Sequence, residues 1–256
     1  MDARLSRLLL SPWLVPLSLV LLWQVAASAG LIPPNILPAP SAVLAAAWRL
    51  LENGQLAANL GVSTARALAG LLIGGGIGFA LGLANGLSTT SERLSDSTLQ
   101  MLRNVPHLAL IPLVILWFGV GETARLFLVA LGVFFPMYVN TFHGVRSVDR
   151  RLVEMARVYG LRGRRLFTRV ILPGALPSIF VGLRFALGVM WLTLIVAETI
   201  AANSGIGHMA MQAREFMQTD VVVLSIVIYA LLGKLADTAT RWLERRFLPP
   251  AAFAHA

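Results

Sequence analysis

The chain has 256 residues, 57% of them apolar and only 13% charged, with a formal net charge of +9. Its mean hydropathy of +0.76 is more than a soluble domain of this size can cover with polar surface, so the composition points to a membrane protein. The absence of cysteine excludes disulfide frameworks, thiol catalysis and thiolate metal sites, and the basic charge reads as membrane topology rather than nucleic-acid binding.

Six apolar stretches approach the roughly 20 residues that a bilayer requires, at about 11–30, 66–87, 98–119, 124–143, 175–198 and 220–240. Together they predict one all-α membrane domain over 1–256, a five-helix unit over 66–240 preceded by the helix 11–30. The first stretch follows Arg4 and Arg7 and ends in Ala27-Ser28-Ala29, like a cleavable signal. Its length, with Pro12, Pro16 and Gln24 inside it, favours a retained helix. Next come Pro33, Pro34, Pro38 and Pro40, an extended segment, and then a helical pattern from a Ser41 cap to about Glu52.

Gly70, Gly74, Gly78, Gly82 and Gly86 recur every four residues along the second span. They form one bare ridge, which lets a neighbouring helix approach closely in lipid. The third span holds Arg103, Asn104, Pro106, His107 and Pro112; Arg103 and Asn104 read equally well as markers of the cytoplasmic membrane surface. The fourth carries Pro136, Asn140 and His143, and the fifth Arg184, Thr193 and Glu198. A polar, glycine-containing loop follows Glu198, suited to receiving something on the external side. Threading six spans with the N-terminus inside leaves sixteen Arg and Lys in cytoplasmic segments against Arg49, Arg66, Arg125 and Arg214 outside. The positive-inside rule therefore predicts both termini in the cytoplasm.

The stretch from Val148 to Gly174 is the longest polar interruption of the second half. It has seven arginines from Arg150 to Arg169, against Asp149 and Glu154. Asp149 can cap a first helix, and Leu152, Met155, Ala156 and Tyr159 fall on one apolar face. Glu154 is placed to pair with Arg150 and Arg157. Gly160 stands where a left-handed stop is needed. A second amphipathic run must end near Leu172, because the residue before a proline is pushed out of helix. A stiff cytoplasmic helical hairpin predicts a docking partner. No Walker motif, HExxH or paired carboxylate site is present, so the reading is not an enzyme: no cofactor, no metal, and energy from another subunit.

These residues resemble a family. Glu154-Met155-Ala156, Gly160 after three intervening residues, then Val170-Ile171-Leu172-Pro173 follow the "EAA" loop of permease subunits of bacterial ABC importers, with Met155 and Val170 as apolar departures. The segments 100–119, 140–161, 170–179, 184–207 and 213–223 are similar to the aliphatic sulfonate branch of that family, more than to its taurine or nitrate and bicarbonate branches. The resemblance implies a type I importer fold in the inner (cytoplasmic) membrane. It implies a permease homodimer in membrane lipid, an ABC ATP-binding subunit that holds ATP and Mg, and an external substrate-binding protein. Glu154, Met155, Ala156, Arg157, Gly160, Leu172 and Pro173 would form the ATPase-coupling site. A sulfonate is a permanent anion, and His107, Asn140, Arg184, Thr193 and Glu198 are the candidate substrate pathway.

Overall fold

A computed structural model describes residues 14–248, and Arg4, Arg7, Pro12 and His255 lie outside the described residues. All regular elements described are helical. The helices are α1 (Leu14–Ser28), α2 (Pro40–Glu52), α3 (Gln55–Leu87), α4 (Thr89–Arg103), α5 (Ile111–Phe118), α6 (Glu122–Arg146), α7 (Arg150–Val158), α8 (Gly163–Ile200), α9 (Ile206–Glu215) and α10 (Thr219–Phe247). Four of them, α3, α6, α8 and α10, are long and apolar enough to cross a membrane, and α4 with α5 make a fifth span if the bent pair is counted as one. α1 has 15 described residues of the expected first span.

The glycine ridge acts as its spacing predicts. A Cβ on Gly74 would land on the backbone of Ala130, and one on Gly78 would lie 2.5 Å from the Phe134 carbonyl oxygen. On Gly82 it would meet the Tyr138 carbonyl oxygen at 2.8 Å, and on Gly86 Val145 Cβ at 2.7 Å. The bare stripe of α3 therefore lies on the backbone of α6 itself. The opposite side of α6 packs equally closely on α8, where Gly132 faces Thr193, Gly144 faces Ala175, and Gly182 of α8 faces Asn140. In lipid this dispersion-driven packing holds helices together, since lipid tails are as apolar as the side chains. The core of the trio is Ala67, Val133, Met137, Ala186, Met190 and Leu194. A second core joins α2, α9 and α10 through Ala46, Leu50, Ile206, Met209 and Leu224.

Five sequence expectations are corrected. α3 starts at Gln55, not near residue 66, because its first turns are polar and an apolar-run count begins too late. The third span is not straight: α4 and the segment His107–Phe118 meet at 81°. Val105, which precedes Pro106, is forced out of helix there. The cap of α2 is Ala39 with Pro40 in the first turn, and the Ser41 amide is instead held by Gln24 Oε1 at 3.0 Å. The run after Gly160 does not end near Leu172. One turn of wider π-helix over Phe167–Ile171 carries α8 across Pro173. A proline removes the bond to the fourth residue back and crowds that carbonyl, and the wider turn moves it aside. The loop after Glu198 contains a helix, α9, packed by Ile206, Met209 and Ala213.

Candidate functional site: a docking hairpin and the polar residues of the spans

The hairpin is built locally. Asp149 Oδ1 accepts the Arg151 amide at 2.8 Å and starts α7. At its far end the Leu161 amide donates to the Ala156 carbonyl at 2.9 Å, and the Gly160 amide to that of Arg157 at 3.0 Å. This pair of bonds is a Schellman stop, which needs the left-handed backbone that Gly160 supplies with φ of +82°. Nothing lies within 4 Å of a Cβ built on Gly160, so the glycine is required by conformation rather than by space.

The apolar face expected on α7 divides in two. Ala156 is buried against the body of the protein, while Leu152 and Met155 face outward. Beyond them Val158 and Tyr159 stand 85% and 80% exposed at the tip. The pairs expected of Glu154 are not formed; among the described residues no ion pair includes it. It lines an open cleft with Arg146, Arg150 and Arg157. Arg146 is itself tied to Glu92 and lies over the Phe142 ring at 5.7 Å. Leu172 packs on the core of α6 and α8, and Pro173 is exposed. The hairpin thus combines a rigid base with an uncovered apolar tip beside an unpaired carboxylate, the composition of a surface that seats in another protein.

Of the five candidate pathway residues, the structure brings two together. His107 and the buried Thr193 share a hydrogen bond of 2.9 Å beside Gly132. Asn140 Nδ2 donates to the Pro136 carbonyl at 2.9 Å, apart from that pair. Arg184 is tied to Glu244 and lies 3.6 Å from Asp237, both on α10. Glu198 is 1% exposed and sits at the other end of the bundle.

Around Glu198 the structure gathers residues that sequence reading did not connect. Its carboxylate accepts from Ser63 Oγ at 2.8 Å, Arg66 Nη1 at 2.8 Å, the Gly207 amide at 3.0 Å and the Tyr229 hydroxyl at 3.0 Å. Arg66 also holds Glu122 and donates to the Ser204 carbonyl at 2.7 Å. Glu122 in turn accepts from Arg125 at 2.9 Å. This network ties α3, α6, α8 and α10 to the segment that enters α9. A buried charge requires such partners. The available signal was Arg66 itself, an arginine at the head of an apolar run. Among the described residues no three His, Asp or Glu side chains converge to hold a metal.

Comparison with known proteins agrees with this arrangement. Residues 74–249 match the family described as the binding-protein-dependent transport system inner membrane component. The chain is 62% identical over 238 residues to an Escherichia coli protein named as an aliphatic sulfonates transport permease, SsuC, covering 93% of this chain and 90% of that one. It is 45% identical to the Bacillus subtilis protein of the same name, over 92% and 85% of the two chains. It is 37% identical to the Escherichia coli taurine transport system permease protein TauC, over 90% and 86%. In fold it resembles the MetNI methionine ABC transporter solved in inward-facing conformations, with a TM-score of 0.53, 18% identity, and 76% of this chain and 96% of that one covered. A helical membrane bundle with an EAA-type hairpin, matched by a family model over most of its length, belongs to the permease subunits of binding-protein-dependent ABC transport systems.

Proposed function

We propose that the chain is the permease of an ATP-driven importer that moves aliphatic sulfonates across the inner membrane by alternating access. The observation that carries the coupling half is the hairpin: an exposed Val158–Tyr159 tip, set by Gly160 and backed by a helix that runs unbroken into a span. Its occupant in this reading is an ABC ATP-binding subunit, which holds ATP and Mg, and Glu154, Met155, Ala156, Arg157, Gly160, Leu172 and Pro173 form the contact and its base. Two permease copies pair in lipid, and an external binding protein delivers the substrate. The substrate half rests on 62% and 45% identity to two proteins named for aliphatic sulfonates, against 37% to one named for taurine.

Both termini lie in the cytoplasm in this reading. Arg66, Arg125 and Arg49, counted as external, meet Glu198, Glu122 and Asp220 at one end of the bundle, and Arg146, Arg184 and Arg241 meet Glu92, Glu244 and Asp237 at the hairpin end. No residue of the chain performs covalent chemistry. Its work is a difference in stability between two packings, biased by ligands at the two ends. The deciding experiment is growth of a deletion strain on single sulfur sources. Growth lost on alkanesulfonates and kept on sulfate supports the reading; loss on taurine alone moves the substrate to that branch. Uptake that runs on a proton gradient without ATP overturns it.

A further inference from the structure

α4 has three faces. One is buried: Leu99 packs inward, and Ser95 Oγ accepts from Asn85, which also donates to the Tyr138 hydroxyl at 3.0 Å. A second, exposed, is apolar, with Leu94 and Met101 two turns apart on one side. The third, also exposed, carries Arg93, Ser97 and Gln100, with Arg103 at its edge on the last turn. A helix between lipid and protein needs the first two faces only.

The depth of the polar face follows from two fixed points on α6. Glu92 is tied to Arg146, the last residue of α6. Past the bend, His107 Nε2 lies 3.3 Å from where a Cβ of Gly132 would stand. Between these levels Asp96, Gln100 and Arg103 line a narrow cavity against Phe135, Tyr138 and His143. Phe135 is eleven residues from Arg146, about 16 Å at 1.5 Å per residue; with Arg146 at the cytoplasmic surface, as in the proposed topology, the polar side of α4 reaches about halfway through a 30 Å hydrocarbon layer. Arg103 makes no hydrogen bond or ion pair with the described residues. An exposed, unpaired arginine and its polar neighbours do not face lipid at that depth; they face a partner or water.

We infer that Arg103, with the exposed polar side of α4, is the cation that meets the substrate's sulfonate in the path that the importer reading places between two copies of the chain. This rests on the importer reading proposed above and replaces Arg184, which α10 neutralises, as the charge in the path. Arg103 reaches the cavity at the bend before Pro106, where the helix is interrupted and the backbone turns by 81°. Gln100 stands one turn before Arg103, its amide nitrogen donating to Asp96 Oδ1 at 3.2 Å, and Asn104 follows Arg103 as the C-cap of the helix.

The chain has no cysteine, so single cysteines report cleanly. The test uses the full complex in proteoliposomes, with a membrane-impermeant thiosulfonate reagent on Gln100→Cys, Asn104→Cys and Met101→Cys. Met101 is at the same depth as Gln100 but on the apolar face. The first two should react at least tenfold faster than the third; equal, slow reaction of all three overturns the path. Uptake of radiolabelled ethanesulfonate should fall at least tenfold in Arg103→Gln and return largely in Arg103→Lys. Uptake within twofold of the unmodified protein in Arg103→Gln overturns the role of Arg103. Should Arg103→Gln fail to assemble, Asn104→Cys decides instead: protection from the reagent by ethanesulfonate supports the site, and no protection overturns it. Should the unmodified complex carry no sulfonate while Asn104→Cys reacts fast, the substrate reading and the role of Arg103 fall together, and the water-filled path stands.

Discussion

Glu198 and Glu154 are both carboxylates on helices near a membrane surface, and their surroundings are opposite. Glu198 is enclosed by Ser63, Arg66, Tyr229 and the Gly207 amide, and both of its oxygens are used. Glu154 is exposed in a cleft lined by arginines, and no ion pair among the described residues includes it. The first is satisfied within the chain and holds four helices together. The second is exposed and, in the proposed importer, is left for the ATP-binding subunit. A permease that works by alternating access, as proposed, needs both: ends whose packing is fixed, and a contact whose bonding is completed by its partner.

This contrast can be tested by a graded series in which stability losses shrink as partner losses persist. Glu198→Ala leaves Ser63, the Gly207 amide and Tyr229 without their buried acceptor and takes from Arg66 one of its two carboxylates, and should cost on the order of 3–5 kcal/mol. The readout is the unfolding midpoint of the detergent-purified protein, and a midpoint unchanged from the parent would show the network to be dispensable. Gly160→Val forces a β-branched residue into positive φ, a local cost of about 1–2 kcal/mol. Membrane insertion should persist, yet ATPase copurification should drop; full copurification would sink the docking assignment. Asp149→Ala removes one cap, about 1 kcal/mol of α7. ATP-driven uptake should weaken without loss of the complex. Tyr159→Ala and Glu154→Lys alter exposed side chains and should move stability by no more than about 0.5 kcal/mol. Both should still reduce ATPase capture, measured by pull-down at fixed detergent and salt. If either destabilised the isolated permease as much as Glu198→Ala, the distinction between the two ends would be lost.

Local signals in the sequence were reliable where the physics is local. The four-residue spacing of Gly70 to Gly86 depends only on helix pitch, and the ridge lies on α6 as expected. Asp149 and Gly160 satisfy orphan groups of their own helix, so residue type alone located the start and stop of α7. The same pattern put Leu152, Met155, Ala156 and Tyr159 on one apolar face without separating Ala156, which is buried, from the other three, which are exposed. Failures came where distant residues decide. Ser63 and Arg66 are 135 and 132 residues from Glu198, and no local periodicity links them. Arg184 looked like a lone charge in a span because its partners, Asp237 and Glu244, lie on α10. The rule that helices stop before proline failed at Leu172 because a π turn is an option that sequence pattern does not encode. The bend before Pro106 shows the same rule holding where no such turn intervenes.

The unbroken course of α8 has a mechanical consequence. Its 38 residues run from the hairpin, past Arg184 and Thr193, to the threshold of the Glu198 network. At 1.5 Å per residue the rod is about 57 Å long, and a tilt of about 5° moves one end by about 5 Å relative to the other. In the proposed importer, a push on the Arg162–Leu166 turn would therefore arrive at the opposite surface as a displacement comparable to one helical turn, with no relay of side chains in between. The π turn at Phe167–Ile171 is what keeps lever and handle in one piece; had Pro173 broken the helix, the handle would swing freely and the lever would stay still.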